Sequence, residues 1–125
     1  MDQCEPVGFE CYNGDRVVQR HQYLIEQLEL EAHPEGGYYK RVYESCARVT
    51  TKDHQDRACL SSIYYLLHGA CYSSFHRLDA DEQWHYYEGT TSLFLHMISP
   101  EGHYQIKQLN PKCQQYQMVV PAHYW

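Results

Sequence analysis

Six short β-prone runs decide the fold of this 125-residue chain: LSSIYYLL (60–67), CYSSFHRL (71–78), EQWHYY (82–87), SLFLHMI (92–98), HYQIKQL (103–109) and YQMVV (116–120). Turn-forming residues separate these runs, among them Gly69, Gly89 and Pro100. Short strands at roughly ten-residue spacing with turn signals between them are typical of an all-β sandwich or barrel. The sequence therefore predicts an all-β domain.

One segment before these runs has helical periodicity. Leu24, Ile25 and Leu28 recur at helical spacing between residues 17 and 30. The residue that precedes a proline is biased away from the α region, so the helix should end before the step into Pro34. We expect this single helix to pack outside the β-structure.

The rest of the N-terminal half of the chain indicates how the domain is organised. Residues 1–16 have little periodicity and predict an N-terminal arm, and residues 17–125 predict one domain. A β-rich run at 38–43 precedes a polar stretch at 44–57, which predicts a long loop at the rim of the domain.

Charge and hydropathy exclude several classes of protein. The chain has 16 acidic and 10 basic side chains, a formal charge of −6, which disfavours a nucleic-acid binder because phosphate neutralisation needs a positive face. The longest uncharged stretch, TTSLFLHMISP (90–100), is about half of the roughly 20 residues that span a bilayer. The first residues lack the basic start and apolar run of a secretory signal. We therefore expect a cytoplasmic protein with a small molecule as its partner.

The cysteines predict no dithiol or zinc site. Six cysteines are scattered along the chain without any CxxC pair, so most are expected to be reduced. Cys59 and Cys71 lie in apolar, strand-like runs and are expected to be buried.

The densest polar cluster is FHRLDADEQWH, residues 75–85. It predicts a hairpin that brings His76 and Glu82 together, which is a workable pair for acid–base catalysis. A metal would need a third convergent ligand, and His85 is the candidate. Strand alternation opposes that set, because it places Glu82 with Trp84 on one face and His85 on the other.

Aromatic side chains are candidates for the walls of a cavity. Tyr39, Tyr64 and Tyr86, together with Trp84 and His85, have the apolar surface and polar tips that stack on and hydrogen-bond to sugar or nucleobase rings. Packing at a rim or a dimer interface is an equally open interpretation of the tyrosines.

Several ordered blocks resemble one family. They are HPEGGYY (33–39), SIYYLL (62–67), FHRL (75–78), DEQWH (81–85) with Gly89, and VPAHYW (120–125). From about Leu24 to Trp125 the chain resembles the uncharacterised cupin subfamily DUF985, also called cupin 5. The resemblance implies a double-stranded β-helix, which is a jelly-roll barrel, and a homodimer. It implies no particular reaction.

The general cupin motif, Gly-x5-His-x-His-x3–4-Glu-x6-Gly, is matched only in part. The matching positions are His76, Glu82 and Gly89, with Pro121 in the second half-motif. Leu78 replaces the second histidine, and the last histidine position would follow Trp125, so the chain is expected to be short at its C-terminus. The sequence therefore predicts no particular cofactor. A divalent metal bound by His76, Glu82 and His85 is an open alternative.

The leading functional hypothesis is a cupin that holds a small polar metabolite, nucleotide-sugar-like or acidic. As an enzyme it would be a metal-independent isomerase or epimerase, in which His76 removes a proton next to a carbonyl and a tyrosine returns one. A binding or storage module without turnover, and a metal-dependent cupin, are the alternatives.

Overall fold

The computed structural model describes residues 11–13 and 16–125, with side chains from Gln19 onward. The chain divides into two compact units, one ending at Ser74 and the other running from Phe75 to Trp125. The first unit contains β1 (Cys11–Asn13), β2 (Arg16–Val18), α1 (Arg20–Gln27), β3 (Glu31–Ala32), β4 (Tyr38–Glu44), β5 (Arg48–Thr50), β6 (Asp56–Ala58) and β7 (Ser61–Leu66). The second contains β8 (Glu82–His85), β9 (Leu93–Ile98), β10 (Tyr104–Leu109), a 3-10 turn (Pro111–Cys113) and β11 (Gln117–Val120).

The helix is shorter than the sequence pattern predicts. The predicted arm, residues 1–16, falls mostly outside the described residues, and its described part pairs with β2 as an antiparallel hairpin. Because β2 takes the β-branched Val17 and Val18, the helix begins only at Arg20. No helix among the described residues is long and apolar enough to cross a membrane.

The helix ends well before the proline, at a left-handed residue. Glu29 has φ 52°, and the Leu30 N–H donates to Ile25 O at 2.9 Å while the Glu29 N–H donates to Glu26 O. These two bonds form a Schellman motif, in which glycine is the usual left-handed residue. A glutamate at that position explains why no helix stop is visible in the sequence before Pro34.

The central sheet of the first unit has the order β3-β4-β7 and is antiparallel. In its register Tyr39 lies opposite Tyr65, and Lys40 lies opposite Tyr64. The tight turn between β3 and β4 is closed by the bond from the His33 N–H to Gly37 O at 2.9 Å.

The long loop predicted for residues 44–57 is wrong. This stretch forms most of an antiparallel hairpin, β5–β6, in which the Arg48 guanidinium lies 2.8 Å from the Asp56 carboxylate. Composition misleads here because a hairpin exposed to water on both sides can be built from polar residues.

The hairpin predicted between residues 71–78 and 82–87 is also wrong. Residues 71–78 are not a strand, and β8 pairs instead with β11, with Glu82 opposite Val120 and Trp84 opposite Met118. The remaining strands of this unit, β9 and β10, lie in two of the predicted β-prone runs and form an antiparallel pair.

The core of the second unit lies on one face of β9–β10. Leu95, Met97 and Leu109 are buried there, and Leu109 is only 1% exposed. The other face carries Phe94 and Ile106, which are both at least half exposed. The expectation that Cys59 and Cys71 are buried is wrong, since both thiols are exposed. Burial is a property of packing, and an apolar run does not specify it.

Candidate functional site

Strand β8 presents its predicted functional residues on two faces. Glu82, Trp84 and Tyr86 are half-buried, whereas Gln83 and His85 between them are exposed. The alternation predicted for Glu82, Trp84 and His85 is thus confirmed. Across the β8–β11 ladder, two half-buried apolar residues complete the inner side: Met118 and Val120. We call the set Glu82, Trp84, Tyr86, Met118 and Val120 the β8 face.

A hydrogen bond orients the carboxylate of this face. The Trp84 Nε1–H donates to Glu82 Oε2 at 2.9 Å, between side chains two residues apart on the same strand. Glu82 Oε1 has no hydrogen-bond partner among the described residues. The indole therefore fixes the carboxyl group while one oxygen stays available to accept from a ligand.

Tyr86 is held at the end of the β8 face. Its hydroxyl donates to Thr91 O at 2.6 Å, and burial raises the pKa of the phenol above its ordinary value. Gly89 makes this position possible, because a Cβ there would lie 2.3 Å from Tyr86 Oη. The cupin motif includes this glycine, but the sequence gives no sign that it accommodates the tyrosine.

The two histidines of the cluster do not form a metal centre with Glu82. His76 is half-buried in the irregular segment before β8, and His85 stacks on Tyr87 on the exposed face with 6.3 Å between ring centroids. Residues 19–125, whose side chains are described, contain no group of three or more His, Cys, Asp or Glu that could hold a metal ion. The set His76, Glu82 and His85 is therefore not gathered at one point.

The two tyrosines predicted in the first unit lie on opposite faces of its sheet. The register pairs Tyr39 with Tyr65 and Tyr64 with Lys40, and adjacent residues on one strand point to opposite sides. Tyr39 packs edge-on against His33 with 4.7 Å between ring centroids, whereas Tyr64 is 40% exposed. Tyr39 and Tyr64 therefore cannot be neighbours in one cavity wall of this sheet.

A cavity of about 310 Å³ in the first unit is lined by residues 34–37, Ala70, Cys71, Tyr72 and Ser74. The His33 Nδ1 accepts from the Glu35 N–H at 3.1 Å and lies 3.0 Å from the Glu35 carboxylate.

A larger cavity of about 410 Å³ lies in the second unit, between Lys107–Gln108 on β10 and residues 114–118. Sequence reasoning missed every residue that lines it, and the glutamine-rich run carries no motif by which it could have been found. Met118 belongs to both the cavity lining and the β8 face. Lys107 forms no ion pair with any described residue, so its charge is not neutralised by the protein there.

Comparisons with known proteins identify the fold. The family model described as "Cupin superfamily (DUF985)" matches residues 22–125. The solved structure of a hypothetical protein from Leishmania major matches with a TM-score of 0.74 at 28% identity. The match covers 82% of this chain and 65% of the Leishmania major chain. A crystal structure of a Shewanella oneidensis protein matches with a TM-score of 0.73 at 39% identity, covering 86% and 66%.

This chain therefore spans just under two thirds of the length of those two proteins. No curated protein matches. The predicted fold class, an all-β cupin fold with one helix near the N-terminus, is confirmed. The match over residues 22–125 establishes that the chain belongs to the DUF985 family of the cupin superfamily.

Proposed function

We propose that the second unit binds a small polar metabolite on the β8 face. The observation that carries the proposal is the half-buried Glu82 carboxylate, which the Trp84 indole orients and whose second oxygen has no partner among the described residues. A few oriented polar groups among aromatic and apolar side chains are the usual composition of a small-molecule site.

The cavity beside this face suggests the chemistry of the ligand. Lys107 contributes a positive charge that pairs with no acidic group among residues 19–125, and Gln115 and Tyr116 contribute an amide and a hydroxyl. A ligand that suits both residues would have hydroxyl groups that donate to Glu82 and an anionic group that pairs with Lys107. Sugar phosphates and hydroxy acids have this combination.

An isomerase or epimerase is the catalytic form of the proposal. His76 would remove a proton next to a carbonyl group, and Tyr86 would return one from its hydroxyl. Burial raises the pKa of the Tyr86 phenol, so its hydroxyl carries its proton at neutral pH but is a weaker acid than an exposed tyrosine. A binding module without turnover is the second candidate, and the bond from the Tyr86 hydroxyl to Thr91 O favours it because the proton is already engaged.

Glu82→Gln tests the site. A panel of sugar phosphates and hydroxy acids is screened by thermal shift, and the affinity of the ligand found is measured by titration calorimetry. The amide can still accept from Trp84 but carries no charge, so we expect Kd to rise about 10- to 100-fold, the loss of one charge-assisted hydrogen bond.

Val119→Thr is the matched control, because Val119 lies opposite Gln83 on the exposed side of the β8–β11 ladder and does not line the cavity. Its affinity should equal that of the unaltered chain. Equal affinity of Glu82→Gln and the unaltered chain, or no ligand in the whole panel, would refute the proposed site. Mass spectrometry of the bound ligand then separates the candidates, since conversion that disappears in His76→Gln supports the enzyme and binding without conversion supports the module.

The homodimer and the cytoplasmic location stay predictions from the sequence. Light scattering on the purified chain checks the first, with a mass twice that of one chain expected.

A further inference from the structure

Two histidines of the first unit, which does not contain the proposed site, stack face to face. His21 is the second residue of α1, and His68 follows the end of β7 by two residues. Their ring centroids are 4.2 Å apart and their planes differ by only 6°. Both side chains are half-buried. The stack is thus a contact between the first turn of the helix and the end of a sheet strand.

The parallel geometry argues against a metal chelate. The lone pair of an imidazole nitrogen lies in the plane of the ring, so two parallel rings direct their lone pairs side by side and do not converge on one ion. Stacking of uncharged rings is favourable, whereas two imidazolium rings at this separation repel each other.

Among the described residues, no carboxylate acts on His21 to offset such repulsion. From β4, Tyr38 contacts His68 with 5.8 Å between ring centroids, and its hydroxyl is neutral at ordinary pH. On α1 itself the neighbouring charge is Arg20, whose guanidinium lies over the Tyr23 ring. The groups that influence His21 among the described residues are its own burial and His68, and no carboxylate is among them.

The other end of the helix is fixed independently of these histidines. Glu29, just after α1, forms an ion pair with Lys40 on β4, and Leu30 is only 8% exposed. Loss of the His21–His68 stack would therefore remove the contact between the first turn of α1 and the end of β7, while the C-terminal end of the helix stays attached to the sheet.

We propose that the His21–His68 stack is a pH-sensitive contact, which holds the start of α1 on the sheet while the His21 ring is neutral and releases it when that ring is protonated. The direction follows from linkage. Burial, and then the proximity of His68, lower the pKa of His21 below its ordinary value of 6.5. The released helix binds the proton more tightly, so the stabilisation is complete above about pH 6.5 and is lost as the pH falls toward the lowered pKa.

Hydrogen exchange of the 125-residue chain tests this. Backbone protection of residues 20–28 is measured by mass spectrometry between pH 7.5 and 5.0, with exchange times corrected for the intrinsic chemical rate. Each proton taken up on release should lower the protection by up to about tenfold per pH unit in this window. The double variant His21→Phe/His68→Phe keeps two stacked rings without a titratable group, so its corrected protection should not change with pH.

His54→Asn is the matched control, since His54 lies at φ 61° in the β5–β6 turn and asparagine accepts that conformation. It should behave as the unaltered chain does. Corrected protection that is constant with pH in the unaltered chain, or an equal loss in the double phenylalanine variant, would overturn the proposal. If that variant does not fold, NMR titration of His21 in the unaltered chain is the deciding measurement. A titration midpoint of His21 at or above pH 6.5 would also overturn the proposal.

Discussion

Gly36→Ala is expected to lower the free energy of unfolding by about 3 kcal/mol or more. Gly36 has φ +111°, and a Cβ built on it lies 2.2 Å from the backbone oxygen of Tyr72. That oxygen cannot simply rotate away, because the neighbouring Ser74 N–H donates to Glu35 O at 2.7 Å and joins the same two segments. The methyl group therefore forces the two backbones apart. Urea denaturation followed by far-UV circular dichroism measures the loss.

Gly69→Ala separates this clash from backbone strain alone. Gly69 also has a positive φ, of +57°, but a Cβ there meets nothing within 4 Å. Only the left-handed conformation then opposes alanine, and the expected loss is about 1 kcal/mol. If Gly36→Ala were no more destabilising than Gly69→Ala, the close packing of the 33–37 turn on residues 70–74 would be wrong.

Leu109→Ala is expected to cost about 2 to 5 kcal/mol of unfolding free energy. Leu109 is 1% exposed and ends β10 opposite Leu93, on the same face of β9–β10 as the buried Leu95 and Met97. Truncation removes apolar contacts and leaves a cavity that the paired strands can fill only in part. Guanidinium denaturation of the variant and the unaltered chain gives the difference.

Ile106→Ala is the control on the same strand. Ile106 points to the opposite side of β9–β10 and is 50% exposed, so its truncation should cost less than about 1 kcal/mol. Similar losses of unfolding free energy in the two variants would contradict the structure, in which one face of β9–β10 is buried and the other is exposed.

The strands themselves were largely predictable because their signal is local. The runs that become β7, β9, β10 and β11 are rich in aromatic and β-branched residues and are bounded by turn residues, so each was found within about two residues of its observed ends. The run at 71–78 has similar composition, yet it forms no strand. Composition indicates whether a segment can adopt a β-conformation, but it does not determine whether a partner strand is available to pair with it.

The candidate site was predictable to the extent that it depends on alternation within one strand. The period of two placed Glu82 with Trp84 and His85 on the other side before any partner strand was known. The Trp84–Glu82 bond and the cavity beside Lys107 were not predictable, since side-chain rotamers and the proximity of residues 114–118 to β10 leave no periodic trace.

By itself the sequence determined the all-β class, the family and the two faces of β8, because these depend on residue type and short-range order. Only the tertiary structure decided that β8 pairs with β11, that Tyr39 and Tyr64 lie on opposite faces of their sheet, and that Cys59 and Cys71 are exposed. The physical reason is that strand partners and burial are set by contacts between segments far apart in the chain. The energies of those contacts come from the packed neighbours of a residue, which its own stretch of sequence does not contain.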